Sequence, residues 1–230
     1  ESVENVRRLI LTASGGPFRG KKRDDLRRVS PRDALKHPNW TMGAKITVDS
    51  ATLMNKALEI IEAQRLFGLP AEKIEVVVHP QSIVHSAVEF CDGSVKAQIG
   101  APDMRLPIAY ALAYPSRSEH AFARYDFFAS GPLTFEPPDR ETFPSLDFAY
   151  HALEREGNLP CALNAANEEA VAMFLQERIT FLEIFDVVAE AMQRTDFIAR
   201  PEYEDLLATD AQARALARER ASRRTAIPLS

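Results

Sequence analysis

The stretch ITVDSATLMNKALEIIEAQRLFG, residues 46–68, decides how the rest of the chain is interpreted. It predicts the end of a strand, a capped turn and one long helix. Asp49 and Ser50 are typical N-cap residues, and Gly68 is typical of a helix end. Apolar residues recur at helical spacing between them, so one face of this helix should pack on a core.

Polar side chains occupy the remaining positions of this helix. Ser50 is expected at its positive end, where unpaired N–H groups favour an anion. Asn55, Lys56 and Glu59 follow at spacings that let all three face one pocket. Such a set suits a phosphorylated, metal-chelating substrate. The alternative is that Lys56 and Glu59 form a solvated surface pair and that Ser50 only caps the helix.

The composition is that of an ordinary globular protein. The chain has 230 residues, of which 46% are hydrophobic and 27% charged. Its net charge of −5 argues against nucleic-acid binding as the main role. We find neither an apolar run long enough for a membrane span nor a signal peptide. Cys91 and Cys161 lack metal-ligand spacing and favour a reducing compartment, so we expect a cytoplasmic protein without membrane or nucleic-acid partners.

Two motifs precede the helix. The apolar run RLILTA, residues 8–13, predicts a buried strand that leads into Ser14-Gly15-Gly16-Pro17-Phe18. Two glycines after a strand let backbone N–H groups approach a ligand, although such turns also occur without one. The segment HPNWTMG, residues 37–43, predicts either a loop packed on the core or a lid that closes over a ligand.

The remaining patterns predict the architecture. Further strands are expected at 73–79, 83–90 and 94–99, the last two forming an antiparallel hairpin whose exposed edge could mediate self-association. We therefore predict an α/β (α+β) domain with a mixed sheet, followed by an all-α four-helix bundle. The expected divisions are residues 1–114 for the first domain, 115–144 for an extended proline-rich linker and 145–230 for the bundle.

Five motifs occur in an order that identifies a family: SGGPF at residue 14, HPNWTMG at 37, ITVDSATLMNKALE at 46, HPQSIVHS at 79 and APDMRLPI at 101. Together with LNAANEEAV at 163, they cover the whole chain. The sequence resembles 1-deoxy-D-xylulose 5-phosphate reductoisomerases, NADPH-dependent enzymes of non-mevalonate isoprenoid biosynthesis. We interpret the polar residues within the last of these motifs, Asn164, Asn167, Glu168 and Glu169, as a structural cap or as part of the surface.

The resemblance implies roles for individual residues. Glu59 would ligate Mg²⁺ or Mn²⁺, and Trp40 and Met42 would belong to a flap that closes over the substrate. Met42, Gly43 and Met104 would lie at the NADPH cofactor, and His85 would support the site. Catalytic roles are expected for Glu59, His37, Lys56 and Trp40. Binding of the sugar-phosphate substrate is expected from Ser14, His37, Ser50, Asn55, Lys56 and Glu59.

The implied reaction is isomerisation of 1-deoxy-D-xylulose 5-phosphate followed by hydride transfer from NADPH, which gives 2-C-methyl-D-erythritol 4-phosphate. The family also implies a bacterial cytoplasmic homodimer. Its members begin with an NADPH-binding domain with a glycine-rich turn, and this domain and two further metal ligands are not found in the sequence. We therefore expect this chain to fold but not to turn over alone.

Two other interpretations remain open from the residues themselves. The first is a sugar-phosphate isomerase or aldolase-type enzyme that uses Ser50, Lys56 and Glu59 without a nicotinamide. The second is a non-enzymatic helical interaction module. The first would be active without NADPH, and the second would be indifferent to replacement of Lys56 or Glu59.

Overall fold

A mixed four-stranded sheet forms the first part of the molecule. A computed structural model of the chain describes residues 2–37, 42–117, 119 and 122–225. The strands are β1 (Val6–Ala13), β2 (Ile74–Val78), β3 (Val84–Phe90) and β4 (Val95–Ile99), in the order β2-β1-β3-β4. β1 pairs with β2 in parallel, and the other two pairs are antiparallel. The predicted mixed sheet and hairpin are confirmed.

Residues 46–68 belong to two helices. After the short α1 (Pro31–Ala34) come α2 (Ala44–Thr52) and α3 (Met54–Phe67). They are separated by Leu53, whose φ of 62° lies in the left-handed region. The predicted strand end at Ile46 and the predicted cap at Ser50 are therefore wrong, because both residues lie inside α2.

A buried carboxylate explains this error. Asp49 is only 1% exposed, and its side chain binds Lys45 on its own helix and Asn167 of a distant helix. Asp favours cap positions when its side chain accepts hydrogen bonds from the nearby backbone. Here the side chain binds Lys45 and Asn167 instead. Packing against the core has thus overridden the local preference.

An extended segment leads from the sheet to the C-terminal helices. It follows α4 (Arg105–Ala113), and it touches the sheet through an isolated bridge between Glu136 and Val78. Phe143, near its end, is buried in the core. The division into separate domains at this segment stays a prediction.

Four helices follow, as predicted: α5 (Ser145–Arg155), α6 (Leu159–Leu175), α7 (Phe181–Arg194) and α8 (Tyr203–Thr225). α6, α7 and α8 pack against one another, and α5 contacts both α3 and α6. One large apolar core runs through sheet and helices, from Leu9 to Ala221, and Ala162, Ala165 and Ala213 form a small second cluster. The predicted fold class, α/β followed by helices, is confirmed.

Two further observations concern membrane spanning and the end of the chain. Across the described part of the chain, no helix is long and apolar enough to cross a membrane. The sequence of residues 225–230 predicts a disordered end, and positions 226–230 of it lie outside the described residues.

Candidate functional site

The site is a cavity of about 590 Å³ at the carboxyl end of β1. Its walls come from the end of β1 and the loop after it, from α2 and α3, and from the segments that lead into β3 and α4. Nine of the residues singled out from the sequence line it: Ser14, His37, Met42, Ser50, Asn55, Lys56, Glu59, His85 and Met104.

The loop after β1 is held against α2 by glycine. Gly16 has a φ of +65°, and a Cβ built on it would lie 2.7 Å from the carbonyl oxygen of Ser50. Any side chain there would push the loop away from α2. Phe18 fixes the other end of the loop, since its ring packs edge-on against Phe181 of α7 with centroids 4.9 Å apart. Ser14 is therefore held close to Ser50.

His37 joins the two serines. Its Nε2 lies 3.1 Å from Oγ of Ser14 and 3.0 Å from Oγ of Ser50. Burial lowers the pKa of His37 below its usual 6.5, which favours the neutral imidazole. Three side chains from three different segments thus present hydrogen-bonding groups to one corner of the cavity.

The first turns of α3 supply the charged groups. Because α3 begins at Met54, Asn55 and Lys56 lie in its first turn, where backbone N–H groups lack helical partners. The favourable end for an anion is thus that of α3, and Ser50 reaches the same cavity from the preceding helix. The Lys56 side chain is only 12% exposed.

Glu59 is the carboxylate of this cavity. Its Oε1 accepts a 2.6 Å hydrogen bond from Nδ2 of Asn55, and its Oε2 pairs with Nζ of Lys56. The side chain remains 35% exposed toward the cavity. A carboxylate in such a position suits a hard divalent cation. Residues 2–37, 42–117, 119 and 122–225 contain no group of three or more His, Cys, Asp or Glu side chains that could hold a metal by themselves.

The other predicted residues lie at the edge of the cavity or outside the described part. Met104 is 58% exposed beside the cavity, and His85 lines it with a pKa that burial lowers. Gly43 begins α2 next to Met42 but is not part of the lining. Trp40 lies outside the described residues, and so does the rest of the flap except His37, Met42 and Gly43.

Sequence reasoning missed several residues of the lining, including Ala13 and Leu53. Thr12 and Ile46 line the cavity, as does Ser82, whose φ of +52° is unusual for a residue other than glycine. Ser82 lies within the quoted motif HPQSIVHS, which could have drawn attention to it. Ile46 was assigned to a strand, and Thr12 was treated only as part of a buried one.

Together, the fold and the site define an α/β protein with a cavity whose polar lining suits an anion and that also carries a candidate metal ligand. Residues 99–216, just over half of the chain, match the family described as DXP reductoisomerase C-terminal domain. Residues 1–67 match a second description, 1-deoxy-D-xylulose 5-phosphate reductoisomerase C-terminal domain. The chain therefore belongs to the DXP reductoisomerase C-terminal domain family.

Individual relatives agree with this assignment. The 1-deoxy-D-xylulose 5-phosphate reductoisomerase of Symbiobacterium thermophilum is 60% identical over 215 residues, which cover 94% of this chain and 55% of the relative. The Zymomonas mobilis enzyme, solved in complex with NADPH, is 46% identical with a TM-score of 0.88, over 95% of this chain and 56% of that one. A DOX-P reductoisomerase solved with NADPH, fosmidomycin and magnesium is 40% identical with a TM-score of 0.88, over 96% and 57%. The chain thus spans about half the length of the relatives it matches.

Proposed function

We propose that this chain supplies the substrate- and metal-binding part of a reductoisomerase that converts 1-deoxy-D-xylulose 5-phosphate to 2-C-methyl-D-erythritol 4-phosphate with NADPH. The observation that carries the proposal is the single cavity faced by Ser14, Ser50, Asn55, Lys56 and Glu59. The relatives named for this reaction, at 46–60% identity, support it.

The phosphate end of the substrate lies between the corner formed by Ser14, His37 and Ser50 and the first turn of α3. The hydroxyls of Ser14 and Ser50 donate to phosphate oxygens, as does the amide of Asn55. The ammonium of Lys56 supplies a full positive charge, and the N–H groups at the start of α3 add a favourable dipole. His37, which already contacts both serines, orients them and the substrate.

Glu59 holds Mg²⁺ or Mn²⁺. The oxygen donors at this end of the cavity fit a hard cation, and the pairing of Glu59 with Asn55 and Lys56 keeps its carboxylate in place. When bound, such a cation polarises the ketone and hydroxyl oxygens of a sugar phosphate as a Lewis acid. Glu59 is one carboxylate, and the described residues hold no group of three or more His, Cys, Asp or Glu side chains around it, so further ligands would be needed to complete the site.

The apolar side of the cavity receives the nicotinamide of NADPH. Met42 and Met104 give flexible thioether side chains that adapt to a flat ring. Gly43, at the start of α2, leaves room for close approach, since a Cβ there would meet nothing within 4 Å. We also propose that Trp40 belongs to a flap that excludes water from the site.

The two competing functions make different predictions for this cavity. A sugar-phosphate isomerase or aldolase without nicotinamide would use Lys56 and Glu59 and leave Met42 and Met104 without a role. A helical interaction module would use none of them. Neither competing function explains why apolar methionines and a charged anion site line the same cavity.

A chimera tests the proposed function. Residues 1–230 replace the matching part of the Symbiobacterium thermophilum relative, so that the chimera has the relative's full length. With 1-deoxy-D-xylulose 5-phosphate and Mg²⁺ we expect the chimera to oxidise NADPH, whereas residues 1–230 by themselves should not, because Glu59, the one carboxylate that lines the cavity among the described residues, cannot complete a metal site alone. A folded chimera that binds NADPH but leaves the substrate unreduced would contradict the proposal.

We also propose that the protein is a cytoplasmic homodimer that pairs through β4. All five residues of this edge strand are exposed, including Val95 and Ile99. Ile108 and Leu112 of the nearby α4 are exposed as well. An uncovered edge strand with exposed apolar side chains invites pairing with a second copy. Sedimentation velocity of the chain would give the mass of one copy if this is wrong.

A further inference from the structure

Two buried hydrogen bonds join α2 to the C-terminal helices on either side of Ser50. Before it, Nδ2 of Asn167 in α6 donates to Oδ1 of Asp49 over 2.9 Å. After it, Oγ of Ser145 in α5 donates to the carbonyl oxygen of Thr52 over 2.9 Å. All four residues are buried. The segment that carries Ser50 is thus fixed by residues about a hundred positions later in the sequence.

Burial of the Asn167 side chain at this position costs free energy. It is fully buried, and its Oδ1 has no hydrogen-bond partner among the described residues. A buried amide with an unsatisfied oxygen is less favourable than an apolar side chain of similar size. Packing alone therefore does not explain it. Its one side-chain hydrogen bond goes to Asp49, the residue directly before Ser50.

We infer that Asn167 is a positioning residue, which holds α2 through Asp49 so that the hydroxyl of Ser50 meets both Nε2 of His37 and the substrate phosphate. The part concerning phosphate rests on the proposed function, whereas the part concerning His37 does not. The C-terminal helices also hold the loop that carries Ser14, because Phe181 of α7 packs on Phe18 of that loop. A helical part that contributes no lining residue thereby sets the geometry of the cavity.

The first test compares Asn167→Ala with a matched control, Asn158→Ala. Asn158 is also a fully buried asparagine at α6, but it binds the carbonyl oxygen of Asp196 and the hydroxyl of Thr209, away from α2. Both variants lose buried hydrogen bonds and should lower the melting temperature. Only Asn167→Ala should raise the Kd of the full chain for 1-deoxy-D-xylulose 5-phosphate, by about tenfold, the loss of one well-placed hydrogen bond to a charged group.

The second readout needs no ligand. The imidazole signals of His37, assigned by their absence in His37→Gln, are followed by NMR in the free chain as pH is varied. Asn167→Ala should shift these signals and their titration midpoint, because Ser50 moves relative to the ring, while Asn158→Ala should leave both unchanged. If the native chain fails to bind the sugar phosphate but the His37 shift is seen, the proposed function fails and the positioning role stands.

A third variant, Asn167→Asp, makes the coupling depend on pH. Burial already raises the pKa of Asp49, and Lys45 and Glu168 are the charged groups that face it. Two facing carboxyls share a proton at low pH and keep the bond, and they repel when both ionise. Since the folded pKa of the pair is raised, its stabilisation is present at low pH and is lost as pH rises. The ratio of the variant's Kd to the native Kd should therefore increase with pH.

This third variant also covers a failure to fold. If Asn167→Ala does not fold, the Asn167→Asp chain retains the bond at low pH, and raising the pH then gives the same comparison. The inference is overturned if Asn167→Ala, when folded, or Asn167→Asp at high pH matches Asn158→Ala in its Kd for the sugar phosphate and in the His37 signals. A pH-independent ratio for Asn167→Asp would overturn it equally.

Discussion

Replacement of Lys56 by alanine is expected to weaken binding of 1-deoxy-D-xylulose 5-phosphate by roughly thirtyfold or more, or about 2 kcal/mol. The ammonium is largely shielded from water, so its attraction to a phosphate is poorly screened. The substitution also leaves Glu59 without its ammonium partner, which places an uncompensated negative charge in the same cavity. Both effects weaken the binding of an anion, and isothermal titration calorimetry of the chain measures their sum.

Two controls separate these effects. Lys73→Ala removes another lysine, one that binds the carbonyl oxygen of Val6 at the opposite end of β1 from the cavity, and it should leave the affinity unchanged. The double variant Lys56→Ala/Glu59→Gln removes the uncompensated charge, so it should bind more tightly than Lys56→Ala alone in the absence of metal. An affinity that does not respond to Lys56→Ala would show that the phosphate binds elsewhere.

Glu59→Gln should lower kcat of the chimera by about a thousandfold, the loss of roughly 4 kcal/mol of transition-state stabilisation. The glutamine oxygen can still accept one of the two hydrogen bonds, from Asn55 or from Lys56, and the side chain keeps its shape, so the fold of α3 should be preserved. A neutral amide oxygen is, however, a much poorer ligand for Mg²⁺ than a carboxylate. Steady-state NADPH oxidation at increasing Mg²⁺ or Mn²⁺ gives both the rate and the metal dependence.

A matched control for this variant lies one turn further along the same helix. Glu62 is exposed and does not line the cavity, so Glu62→Gln should retain the native rate and the native metal requirement. Should Glu59→Gln keep the native rate at the native metal concentration, Glu59 would not be a metal ligand.

Much of the fold could be predicted because its signals are local. Alternation and apolar runs placed all four strands within two residues of their positions. The failure was α2. Thr47, Val48, Asp49 and Ser50 favour strands and caps in isolation, yet all lie in a helix. The contacts that override these preferences come from α5 and α6, which no local pattern reveals.

The site residues likewise fall into those that the sequence could predict and those that depend on long-range contacts. Asn55, Lys56 and Glu59 share a helix, so their spacing alone predicted a common pocket, and the family motifs suggested Ser14, His37, Ser50 and Met104. The structure places all seven around one cavity, while their roles stay predictions. Asn167 was interpreted only as part of a structural polar cluster. A buried amide that binds a carboxylate 118 residues away leaves no local trace in the sequence.

The central claim is that this cavity binds a sugar phosphate through its phosphate group. Calorimetric titration of the native chain with 1-deoxy-D-xylulose 5-phosphate, in parallel with unphosphorylated 1-deoxy-D-xylulose, tests it most directly. We predict binding of the phosphorylated sugar that inorganic phosphate competes away, and binding of the unphosphorylated sugar at least about a hundredfold weaker. Equal affinity for the two sugars, or binding of the phosphorylated sugar that inorganic phosphate does not disturb, would contradict the claim.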